Sequence, residues 1–134
     1  MIPAILFVCI LAGCRPTTRE FLKESEQVFQ PYVTGDIQAA RAALLAEERV
    51  ITKYEAARTR DYDFHLAYLV TYGRLCAVHL QLGDTNQARE YFQRAIAHRK
   101  LMRSTSAGEV TMEGLLQDIS KLDAPFNPKW RQMR

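Results

Sequence analysis

The 134 residues carry 18 Lys and Arg against 15 Asp and Glu, a formal net charge of +3, and 48% hydrophobic residues. That length leaves room for one domain, and the composition is that of a folded chain rather than a disordered one. The mild positive excess gives little reason to expect a nucleic-acid partner, which calls for basic residues massed on one face.

Every Lys, Arg, Asp and Glu lies after Cys14. The uncharged opening "MIPAILFVCILAG" at 1–13 is shorter than the roughly 20 apolar residues that span a bilayer as a helix. It fits the apolar segment of a secretory signal, about 7–15 residues ahead of a small-residue cleavage site. Its end, Leu11-Ala12-Gly13-Cys14, resembles the lipobox of bacterial lipoproteins. The resemblance implies cleavage before Cys14, acylation of Cys14 with chains of the palmitate class, and a place on the periplasmic side of a bacterial membrane. Arg15 stands where an Asp would hold such a lipoprotein at the inner membrane, which implies the outer membrane in a two-membrane cell. The chain departs from the family in having no Lys or Arg ahead of the apolar run. Acyl chains contribute about 0.8 kcal/mol per buried CH₂, enough to anchor a chain that has no spanning helix. With 1–13 removed and Cys14 acylated, only Cys76 remains and no intramolecular disulfide is available. The rival reading makes 1–13 the first core helix of a cytoplasmic all-α regulatory or interaction protein.

After Cys14 the pattern predicts helices in succession. Thr17 and Glu20 have capping-box spacing, and Phe21, Leu22, Val28, Phe29 and Tyr32 follow at helical period. Gly35-Asp36 breaks that helix beyond Pro31. A second helix, from Ile37 towards Arg58, carries Ala40, Leu44, Leu45, Ile51 and Tyr54 on one side, and Glu47-Glu48 read as solvated charges. Asp61 and Asp63 punctuate. Phe64, Tyr68, Tyr72, Leu75, Cys76 and His79 mark a third helix ending at Leu82-Gly83. Asp84 with Gln87 caps a fourth, whose inner face is Ala88, Tyr91, Phe92, Ala95 and Ile96. Residues 103–108 form a loop, and Met112, Leu115, Leu116, Ile119 and Leu122 make a fifth amphipathic helix. Pro125 and Pro128 end regular structure. The fold class expected is all-α, with a leader at 1–13, a helical domain at 14–124 and a basic, proline-containing tail at 125–134.

The segments "TGDIQAARAALLA" (34–46) and "LGDTNQAREYFQR" (82–94) share Gly-Asp, a three-residue gap, Ala-Arg, and a large apolar residue one turn later. Gly turns the chain between two helices, Asp caps the second, and the small Ala lets the helices approach. This resembles the tetratricopeptide repeat, a helix-turn-helix unit of about 34 residues. Tyr72, Leu75-Cys76, His79, Ala88, Phe92 and Ala95 fill its positions in the second copy. Departures are Lys100 for the helix-ending Pro, and Glu47 where the first copy should have its last Ala. The resemblance implies a stack of helical hairpins, with Met112–Leu122 as a lid over the open face of the fourth helix, and pairing with itself or a partner where the lid falls short. It also implies a partner-binding groove at Val70, Gly73, Arg74, Ala77 and Gln81.

The sequence holds no phosphate-binding glycine loop, HExxH, nucleophile elbow or CxxC. His65 and His79 sit about 21 Å apart along one helix and cannot share a metal, and His98 is on another helix. Cys76 falls at a helix contact and reads as an inert thiol. No catalytic residue, metal ligand or cofactor is expected. A hydrolase or metal carrier would require converging titratable groups. The function expected is that of a non-catalytic, lipid-anchored adaptor in the cell envelope, binding a protein partner, a membrane through its lipid, and no nucleic acid. The tail with Lys129, Trp130, Arg131 and Arg134 suits a lipid headgroup layer, a partner's pocket, or a strap on the domain itself.

Overall fold

The computed structural model describes residues 15–59, 62–102 and 108–133. The leader at 1–13, Cys14 and most of the 103–108 loop lie outside them. Among the described residues all regular structure is helical: α1 (Thr18–Thr34), α2 (Ile37–Ala56), α3 (Phe64–Gln81), α4 (Thr85–Lys100), α5 (Met112–Asp123) and a short 3₁₀ helix, Lys129–Arg131. None of these helices is long and apolar enough to cross a membrane.

Each start is written in the local sequence. Thr17 Oγ1 accepts from Glu20 N (3.2 Å) and Thr17 N donates to the Glu20 carboxylate (2.7 Å), which satisfies two of the amides a helix start leaves bare. Asp36, Asp63, Asp84 and Thr111 accept in the same way from Ala39, His65, Gln87 and Gly114. The helix α1 runs through Pro31 to Thr34 and ends when the Gly35 amide donates to Pro31 O.

Helices α1 and α2 form one hairpin, α3 and α4 a second, and the hairpins stack through α2 and α3. A helix apolar all round belongs inside, and α3 is the case in point: every position from Thr71 to His79 is buried. The shared core joins Phe21 and Tyr32 of α1, Leu44 and Ile51 of α2, Leu75 and Val78 of α3, and Ala88 and Ala95 of α4. Tyr72 is buried between the rings of Tyr68 and Tyr91, and Phe92 packs half-buried against the core.

Two expectations are overturned. The helix α5 lies across α3, not over α4. Gly73 explains why: a Cβ there would come within 2.8 Å of Ile119 Cδ1, so the bare backbone admits α5 at close range. Nor does regular structure end at Pro125. The chain turns back, and the 3₁₀ helix rests on α1 and α2 with Trp130 only 1% exposed. Neither a headgroup layer nor a partner's pocket is open to that indole; of the earlier readings, the strap describes it.

Candidate functional site

The five positions expected to line an open groove all lie on α3, and the chain's own C-terminal segment reaches most of them. Gly73 faces Ile119 and Leu115 of α5. Arg74 donates from Nε (3.0 Å) and Nη2 (2.7 Å) to Asp123 Oδ1. Gln81 Nε2 donates to the carbonyls of Trp130 (2.7 Å) and Met133 (3.1 Å). Ala77 is buried, beside Leu116 and Arg131. Val70 is half-buried and borders open space, and Gln81 stays exposed. The segment closes over Arg74 because that residue is a cation on an otherwise apolar helix face, and a buried cation demands a carboxylate; an opening of about 480 Å³ remains between Ala77, Leu80, Gln81, Leu116 and Arg131. Asp123, itself buried, supplies it and also accepts from Tyr32 OH at 2.5 Å. That phenol is pushed well above its ordinary range, first by burial and then by the Asp123 charge.

Space remains on the other side of Arg74. A cleft of about 450 Å³ runs between α1 and the tail, bounded by Leu22, Ser25, Phe29, Glu47, Arg74 and Phe126. A second, of about 270 Å³, leads on past Tyr62, Leu66 and Val70 and shares Leu22, Ser25, Glu47 and Arg74 with the first. Glu47 stands where they meet. Far from being a solvated charge, it is 9% exposed. Its Oε1 accepts from Ser25 Oγ at 3.0 Å, and its Oε2 has no hydrogen-bond partner among the described residues. Burial raises its pKa, against the pull of Arg74 and Ser25. Three large apolar side chains edge the opening half-exposed: Leu22 at 50%, Leu66 at 46% and Phe126 at 48%. Glu47 was legible only as a misfit, a carboxylate in place of the alanine that lets paired helices close.

The histidines distribute unexpectedly. His65 Nδ1 and His98 Nδ1 lie 3.0 Å apart across α3 and α4, with the His98 ring stacked on Tyr68 at 4.4 Å. One ring must donate and the other accept. No group of three or more His, Cys, Asp and Glu placed to hold a metal occurs among the described residues. His79 is buried against Tyr91, with neither ring nitrogen hydrogen-bonded among the described residues. Cys76 is fully buried and its thiol is pushed up to about 11 by desolvation, so it is not poised as a nucleophile.

Neither a protein-family model, nor a curated protein, nor a solved structure matches the chain.

Proposed function

We propose that the protein is a lipid-anchored, non-catalytic adaptor of a bacterial cell envelope that holds a protein partner in the cleft between α1 and α3. The observation that carries the reading is the cleft itself. An apolar opening edged by half-exposed Leu22, Leu66 and Phe126 surrounds one buried carboxylate with an unused oxygen. Exposed apolar side chains grouped around an opening mark an interaction face. The two stacked hairpins supply the frame, and the C-terminal strap covers part of the rival face on α3, which favours the α1 side. The anchor rests on Leu11-Ala12-Gly13-Cys14 and on the absence of charge before it.

Two measurements on the native protein test the reading. Intact mass should show loss of residues 1–13 and a gain of acyl mass at Cys14, abolished in Cys14→Ser. An unmodified chain still carrying its opening would return the protein to the cytoplasmic alternative. A photoreactive group at position 22 should then yield a discrete protein adduct in cells, and the same group at Gln93, on the exposed side of α4, should not. Equal adducts from both positions would remove the cleft from the proposal.

A further inference from the structure

The cleft combines shape and charge in a way that narrows what can enter it, on the premise that it is the adaptor's binding face. Glu47 and Glu26 contribute carboxylates to its lining, and Arg74 is the one cation there. Arg74 is turned to Asp123, to which it donates from Nε and Nη2, and its guanidinium lies over the rings of Phe29 (4.6 Å) and Tyr32 (5.3 Å). Glu47 Oε2 is buried and has no hydrogen-bond donor among the described residues, and such a group costs free energy until something supplies one.

We propose that the partner is a protein segment that inserts one lysine between apolar side chains, its ammonium donating to Glu47 Oε2. Lysine suits the site better than arginine. The planar arginine fork pairs best with both oxygens of a carboxylate, and here Ser25 Oγ already occupies Oε1. An ammonium is a compact charge that needs only Oε2, and Ser25 Oγ has acceptor capacity left for a second of its protons. The aliphatic stem would lie between Leu22 and Phe29, both lining the cleft. Apolar neighbours in the segment would cover the half-exposed Leu22, Leu66 and Phe126. Leu22 and Phe126 line the first cleft and Leu22 and Leu66 the second, so a polypeptide lying along both would cover all three, where a small molecule in one would not.

The test titrates the isotope-labelled full chain with small mimics of side chains, followed by NMR at Ser25 and at the Glu47 carboxyl carbon. n-Butylammonium should bind about tenfold more tightly than n-butanol, the ratio a charge-assisted hydrogen bond supplies. Butyrate should not bind, n-butylguanidinium should trail butylammonium, and the isosteric Glu47→Gln should abolish the ammonium preference. Equal binding of butanol and butylammonium, or a preference that survives Glu47→Gln, overturns the proposal; the comparison among ligands on the wild-type chain decides it even if the variant unfolds. The position-22 adduct separates this failure from failure of the adaptor reading. An adduct undiminished by Glu47→Gln removes the lysine and leaves the adaptor. A butylammonium preference with no protein adduct overturns the protein source and points to a free amine.

Discussion

Asp123 shows how much one side chain can organise. Its buried carboxylate takes two hydrogen bonds from Arg74 and one from Tyr32, with Arg131 Nη2 further off at 3.5 Å. Removing one member of a buried ion pair leaves the other uncompensated, at a cost of about 3–5 kcal/mol, whereas apolar replacement of both is close to neutral. Asp123→Ala should therefore lose about that much unfolding free energy in urea, and Arg74→Met combined with Asp123→Leu should recover most of it. An unchanged midpoint in Asp123→Ala would show the network to be idle. The histidines set a pH dependence. Burial, helped by Arg41, holds the His79 imidazole below its ordinary 6.5, with Asp84 pulling the other way. His98 moves in the same direction through burial and His65. The unfolded chain thus takes up protons at a higher pH than the folded one, so stability is full above the unfolded value and falls as the solution becomes more acidic. Glu47, raised above its ordinary 4.5, opposes this lower down, since its folded form is the better proton acceptor. The melting temperature should drop between about pH 7.5 and about pH 5.5. His79→Phe, which keeps the ring against Tyr91, should reduce the drop without touching the Glu47 contribution.

At the scale of elements, the two Gly-Asp turns look alike in sequence and differ in physics. Asp36 and Asp84 both cap, accepting from Ala39 N at 2.8 Å and Gln87 N at 3.1 Å. Gly83 is needed for its backbone angle, φ +79°, with open space around it. Gly35 has φ −92° and is needed for clearance, because a Cβ would come within 2.5 Å of Ala39 Cβ and 2.8 Å of Pro31 O. Asparagine tolerates the left-handed region, so Gly83→Asn should cost well under about 1 kcal/mol. Gly35→Asn must push α1 from α2 and should cost about 1–3 kcal/mol. Thermal melts of the two variants check the order, and the reverse order would contradict it. The same contrast explains what the sequence could reveal. Caps at Thr17, Asp36 and Asp84 and the end of α3 at Leu82-Gly83 depend on neighbours within one turn, and composition and period expose them. The burial of Glu47, the Arg74–Asp123 pair and the facing rings of His65 and His98 depend on which helix lies beside which. Adjacent Glu47 and Glu48 read as one solvated patch because nothing local says that α1 brings Ser25 to the first of them.

The whole molecule is short for a stack of hairpins, since such units bury a core only against neighbours and need their ends capped. This chain makes its cap from its own C-terminus. The helix α5 covers Gly73, the Asp123 carboxylate neutralises Arg74, and the turn back to Lys129–Arg131 brings Trp130 under Arg131 (4.7 Å) and edge-on to Tyr32 (5.7 Å). Gln81 then fixes the tail by its backbone carbonyls. The strap covers much of that face of α3, and Phe126 within it also edges the cleft on the α1 side, so strap and cleft belong to one arrangement. Trp130 is the single tryptophan of the chain and reports on it directly. Its emission should be blue-shifted and shielded from iodide in the folded protein, and anionic vesicles should leave it unchanged. Deleting residues 125–134 should remove that signal, uncover Ala77 and Gln81, and cost about 3–5 kcal/mol, the usual penalty for losing a buried aromatic. The exposed face would also favour self-association, visible by sedimentation. Red-shifted emission in the intact chain, or a blue shift only when vesicles are added, would instead place the indole at a lipid surface and reopen the groove on α3.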